Sequence, residues 1–110
     1  EVDLYVEDPL CGFDVSISMW RDILDGVFYA GNKKNLKNLP KELPVHIIGG
    51  ANDPCTNNGR DMEKLAIKLR NNGLSNVTCQ ILERTRHESL NEINRDQTTA
   101  IFISWLQERF

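Results

Sequence analysis

"VHIIGGANDP", residues 45–54, decides how the chain is read. Val45, His46, Ile47 and Ile48 form a short, β-branched and almost continuously apolar run, which predicts a strand covered on both faces in a parallel sheet. The run ends at Gly49 and Gly50, and the chain then delivers one carboxylate, Asp53, on a loop of small and polar residues. A second apolar run, "NVTCQILE" (residues 76–83), is followed in the same way by the loop "RTRHESLNE" (84–92), which carries His87. Between the two runs, "GRDMEKLAIKLRNNG" (59–73) puts Met62, Leu65, Ala66 and Leu69 on one stripe and Lys64, Lys68 and Arg70 toward water, and it ends at Gly73. A helix between two strands implies a crossover connection and parallel pairing, because a tight turn cannot join parallel neighbours.

Parallel neighbours bring their carboxyl ends together, and that edge of an open α/β sheet is where loops gather into sites. Asp53 and His87 are therefore expected to meet at hydrogen-bonding distance. A carboxylate beside an imidazole fixes its tautomer and stabilises the imidazolium that forms when the other nitrogen takes a proton, so the pair is a base waiting for a nucleophile. The alternative for Asp53 is a turn or helix-capping residue ahead of Pro54, and for His87 a surface loop histidine between Arg86 and Glu88. Glu88, Asn91 and Glu92 are expected to cap the helix that follows the histidine loop, with support of that loop as the other reading. His46, in mid-strand, reads as a hydrogen-bonded packing residue.

The rest of the chain is consistent with one small α/β unit. "RDQTTAIFISWLQERF" (95–110) offers Thr98, Ile101, Phe102, Trp105 and Leu106 as the buried side of a last helix. Upstream, "DVSISMWRDILDGVFYAG" (14–31) carries Trp20, Ile23, Leu24, Val27 and Phe28 at helical spacing, with Asp14 or Ser16 as its cap and Gly31 as its end. Trp20, Phe28 and Tyr29 are expected to be core, with the lining of an acyl tunnel as the other reading. "NKKNLKNLPKELP" (32–44) is a connector broken by Pro40 and Pro44, in which Leu36 and Leu39 pin the loop to a core.

Composition excludes several classes. With 40% hydrophobic and 26% charged residues the 110-residue chain suits one folded unit, and 13 basic against 16 acidic residues are scattered without a stripe that would neutralise phosphates. Nucleic acid is not an expected partner. No apolar stretch approaches the roughly 20 residues of a membrane span, and "EVDLYVEDPL" lacks the pattern of a signal peptide. Cys11, Cys55 and Cys79 are odd in number and irregularly spaced, which fits neither a disulfide framework nor a Cys-x-x-Cys knuckle and points to a reducing, cytoplasmic setting. A zinc site drawing on all three cysteines and His87 is not expected, since its ligands would have to converge from scattered positions. Asn76-Val77-Thr78 meets the glycosylation pattern but reads as the start of a strand.

One part of a hydrolytic triad is missing. Ser16, Ser18, Ser75, Ser89 and Ser104 all lack glycines two residues away on both sides, so the chain has no Gly-x-Ser-x-Gly elbow. The opening at Glu1, inside "EVDLYVEDPLCGF", gives the expectation of a portion of a longer protein.

The blocks "YVEDPLCGF" (5–13), "LPKELPVHIIGGANDP" (39–54), "VTCQILERTRHESLNE" (77–92) and "NRDQTTAIFISWL" (94–106) together resemble the carboxyl-terminal part of α/β-hydrolases of the monoacylglycerol lipase, lysophospholipase and serine aminopeptidase group. The resemblance runs along nearly the whole chain and is most specific at "NDP" and "RHESLNE". It implies a fold class of α/β type, the last strands and helices of an α/β-hydrolase, with residues 1–40 as the end of a cap and connector and 41–110 as the carboxyl-terminal core. It implies Asp53 as triad acid and His87 as triad base for an upstream serine, acting on acyl esters such as monoacylglycerols or lysophospholipids without any cofactor. Without a nucleophile the chain alone is expected to be inactive, and because two strands and three helices make a thin core with an unpaired edge, it is expected to pair with its missing amino-terminal half, to self-associate, or to be the ordered remainder of a longer chain. A non-catalytic interaction module is the competing expectation. Cys55, Asn57 and Asn58 depart from the apolar and glycine residues often found after the acid, and "ERTRHE" lacks the small residues that commonly precede the histidine.

Overall fold

A computed structural model describes residues 2–109, which divide into two compact units, Glu1–Asn35 and Leu36–Phe110. The first contains helices α1 (Val2–Glu7) and α2 (Ile17–Gly31). Ser16 is the α2 cap: its Oγ accepts the Met19 amide at 3.2 Å, which supplies one of the acceptors that the first turn lacks. No residue of α2 is buried, and Trp20, Phe28 and Tyr29 are 56%, 74% and 69% exposed, so the expectation that they form core is corrected. The apolar stripe exists, but within its own unit α2 has nothing to bury it against.

The second unit runs from Leu36, the last residue of α3 (Lys33–Leu36), through β1 (Val45–Gly50), a 3₁₀ turn (Pro54–Thr56), α4 (Arg60–Asn71), β2 (Val77–Leu82) and α5 (Arg95–Gln107). β1 and β2 pair in parallel with Val45 opposite Val77 and Gly50 opposite Leu82, and α4 is the crossover. Alternation along the strands separates the two faces. On one, Val45, Ile47, Val77 and Cys79 pack with Leu36, Leu39, Ala66, Leu69 and Leu74, which is the core of the unit. Leu36 and Leu39 thus pin the connector as the sequence predicts. Lys41 adds polar stitching: its Nζ donates to the carbonyl of Asn72 at 3.1 Å, and its own carbonyl accepts the Ser75 amide at 2.9 Å.

On the opposite face His46 stacks on Trp105 of α5, with ring centroids 4.9 Å apart and planes 11° from parallel. Its Nδ1 lies 2.8 Å from Thr78 Oγ1, whose hydroxyl in turn donates to the Val45 carbonyl. Thr78 therefore accepts from His46, and the imidazole is the neutral Nδ1–H form with a buried, unpartnered Nε2. Burial, and secondarily the Arg109 charge, holds its pKa below the ordinary histidine value. His46 is the packing residue expected.

The cover is thin, as two strands and three helices lead one to expect, and thinner than strands buried on both faces would have. Val45 to Ile48 are only half-buried, Leu65 is 43% exposed on the flank of the α4 stripe, and of the five α5 residues expected inside only Thr98 is fully buried. Among the described residues the sheet has two strands, so each keeps one edge and part of its face uncovered. No helix among the described residues is long and apolar enough to cross a membrane.

Candidate functional site

Both loops at the carboxyl ends of the strands are held by hydrogen bonds within each loop and between them. After β1 the chain turns through Ala51 and Asn52, whose amides donate to the carbonyls of Leu82 and Thr85, each at 2.9 Å. The first extends the pairing to the end of β2, and the second ties the acid loop to the histidine loop. Gly50 makes the approach possible: a Cβ there would overlap the carbonyl oxygens of Thr85 and Arg86.

Asp53 caps the 3₁₀ turn. Its Oδ1 accepts the Cys55 amide at 2.9 Å, its Oδ2 accepts the Thr56 hydroxyl at 3.0 Å, and its carbonyl accepts the Asn58 amide at 2.8 Å. Asn57, Asn58 and Gly59 then follow in left-handed conformation, with φ of 54°, 55° and 84°, and lead into α4. Asparagine and glycine are the residues that enter this region most readily, which is what the unusual "NNG" of this chain is for. At Gly59 a side chain would also press on Ile81, with its Cβ 2.9 Å from that residue's methyl carbons.

His87 arrives from the other loop and places Nδ1 3.1 Å from Asp53 Oδ2. The contact expected from the parallel pairing is present. The two partners differ in setting: the Asp53 side chain is 4% exposed and that of His87 66%. Burial by itself would raise the Asp53 pKa, but the hydrogen bonds from His87, the Cys55 amide and the Thr56 hydroxyl outweigh it and hold the carboxyl below its ordinary value. Asp53 is therefore ionised at neutral pH and can only accept. It follows that Nδ1 of His87 carries the proton of this bond and that Nε2 of the neutral ring is an acceptor.

Of the residues that hold the histidine loop, Glu92 is one that the sequence offers for that role, whereas Thr85 and Asn94 carry no such signal. Thr85 is fully buried, accepts from Asn94 Nδ2 at 2.8 Å and donates to the Glu83 carbonyl at 3.1 Å. Glu92 Oε1 accepts the Arg86 amide at 3.1 Å, and Thr98 Oγ1 donates to the Ser89 carbonyl at 2.6 Å. The expected capping of α5 by Glu88, Asn91 or Glu92 is corrected: the residue at the cap is Asn94, which makes no side-chain capping bond; its Nδ2 donates to Thr85, and its Oδ1 is buried without a partner. Glu88 and Asn91 bond to each other instead. The spacing of Asn94 from Thr85 carried no sequence signal, since a buried loop threonine has no period.

The cysteines are all free. Burial raises the pKa of Cys79, assisted by Glu63 and partly offset by Arg70, so this thiol is a packing group. Cys55 is exposed and shares a small cluster with Asp53 and His87.

No family model matches the chain, and none of the curated proteins is similar enough to it to count as a match.

Proposed function

We propose that this chain is the carboxyl-terminal, acid-and-base portion of an α/β serine hydrolase acting on carboxylic esters of the monoacylglycerol or lysophospholipid type. The observation that carries the reading is the 3.1 Å contact between a buried, ionised Asp53 and an exposed His87 at the carboxyl edge of two parallel strands. In this reading His87 Nε2 removes the proton of a serine hydroxyl supplied by a preceding part of the same protein, and Asp53 stabilises the imidazolium that results. The imidazolium then protonates the leaving alcohol. Water, deprotonated by the same nitrogen, opens the acyl-enzyme and restores the serine. Nothing in this sequence of steps calls for a cofactor, and cytoplasmic location accords with the three unpaired thiols.

The chain by itself has the base and its orienting acid but no Gly-x-Ser-x-Gly nucleophile, so it is expected to turn over no ester. The thin cover of the sheet and the bare apolar side of α2 support a role for the preceding half as the surface that completes the fold. A fluorophosphonate probe applied to the intact protein tests the reading. Labelling of one serine in the wild type, slowed by three or more orders of magnitude in His87→Ala, is the expected outcome. An intact protein that takes no label, or takes it equally well without His87, leaves an interaction module as the better description.

A further inference from the structure

Asp53, Cys55 and His87 bring a carboxylate oxygen, a sulfur and an imidazole nitrogen into one place, with one donor atom from each lying within 4.8 Å of the others. We propose that these three side chains form a binding site for a thiophilic divalent cation of the zinc class, with water in the fourth position. Tetrahedral zinc, bonded at about 2.0–2.2 Å to nitrogen and oxygen and about 2.3 Å to sulfur, sets its donors roughly 3.3–3.6 Å apart. The Oδ2 to Nδ1 separation of 3.1 Å is already close to that spacing. Only the thiol has to close in, by about 1.5 Å at most, and Cys55 is an exposed side chain with a single rotatable bond to spend on it.

The loop also supplies what a ligand set needs behind it. The Cys55 amide and Thr56 hydroxyl hold the two oxygens of Asp53, which orients the carboxylate as second partners do in metal sites. The same Asp53-to-Cys55 bond fixes the thiol two residues from the carboxylate it would join. Thiolate, imidazole and carboxylate together favour zinc, cobalt or cadmium over magnesium or calcium, which prefer oxygen alone.

Binding has a defined proton balance. The ion takes the position of the proton between Nδ1 and Oδ2, that proton moves through solvent to Nε2, and the Cys55 thiol releases its own proton to water as it becomes a thiolate ligand. An imidazole protonated on Nε2 and metallated on Nδ1 can no longer accept a hydroxyl proton. The cation and general-base action therefore exclude each other, a consequence that rests on the hydrolase reading above, whereas binding itself does not.

The test uses the 110-residue chain, stripped of metal by a chelator and kept reduced with a phosphine. Zinc titrated by calorimetry is expected to bind with one-to-one stoichiometry and a dissociation constant on the order of micromolar, and cobalt to give a thiolate charge-transfer band. Cys55→Ser and His87→Asn, both exposed positions whose folding is checked by circular dichroism, should weaken zinc at least about tenfold, and Cys55→Ser should remove the band. Cys11→Ser and Cys79→Ser should change neither. Absence of zinc binding, or a band that survives Cys55→Ser, overturns the proposal. In the intact protein zinc should suppress fluorophosphonate labelling and a chelator restore it; an intact protein that binds zinc at this site yet never labels would retain the site and sink the hydrolase.

Discussion

Gly50→Ala is the most direct test of how the site is assembled. A methyl group at the last residue of β1 meets the backbone oxygens of Thr85 and Arg86, which cannot rotate away, so the histidine loop has to lift. Overpacking of this kind costs about 1–3 kcal/mol. Lifting the loop also endangers the 2.9 Å bond from the Asn52 amide to the Thr85 carbonyl, worth about 1 kcal/mol net. Against this, alanine restricts the unfolded chain and recovers about 0.4–1 kcal/mol. The net expectation is a loss of about 2 kcal/mol, which for a unit of this size lowers the melting temperature by about 10 °C. Gly49→Ala is the matched control. There the added carbon meets Met62 Sδ at 2.7 Å and Cε at 3.0 Å, the flexible end of a side chain that can swing aside, and the change should be close to neutral. Thermal and urea unfolding followed by circular dichroism measures both variants, and the nitrogen-15 signal of the His87 ring reports whether Nδ1 keeps its partner. A Gly50→Ala protein that melts within roughly 2 °C of the wild type, or no lower than Gly49→Ala, refutes the idea that backbone proximity at Gly50 positions the histidine loop.

Two further outcomes are expected. The folded state lowers the Asp53 pKa from 3.8, so the stabilisation that its carboxylate contributes is complete above that value and is lost as pH falls through the lower, folded one. The stability gap between wild type and Asp53→Asn should accordingly be constant at neutral pH and shrink in acid; a gap that widens below pH 3.8 contradicts the assignment. Thr98→Val keeps the shape of a fully buried residue but strands the Ser89 carbonyl, and should cost about 1–3 kcal/mol in urea unfolding, with Thr98→Ser recovering most of it. Equal stability of the valine and serine variants would show that the 2.6 Å bond contributes nothing.

What was legible in the sequence was whatever has a period. The stripe through Met62, Ala66 and Leu69, the runs Val45–Gly50 and Val77–Leu82, and the Ser16 cap of α2 all appear where residue spacing and cap chemistry put them. The meeting of Asp53 and His87 was legible for a topological reason, since parallel neighbours with a helical crossover have to end side by side. The loops that make the meeting work were not. The left-handed passage through Asn57 and Asn58, the close approach at Gly50 and the Thr85–Asn94 bond depend on which two backbones touch, and no periodicity encodes that. Nor does an amphipathic pattern say what will cover it. α2 has the stripe that the sequence predicts and still leaves Trp20 and Phe28 bare, because periodicity describes one surface and burial needs two.

The uneven setting of the acid and the base has a lasting consequence. Asp53 is woven into its own turn by Cys55, Thr56 and Asn58, so it would hold its posture even with the neighbouring ring removed. His87 gives that turn little in return, and most of its ring stands in solvent. Damage to the pair is therefore asymmetric: loss of the aspartate side chain unravels the turn together with the contact, whereas loss of the histidine ring removes the contact and spares the scaffold.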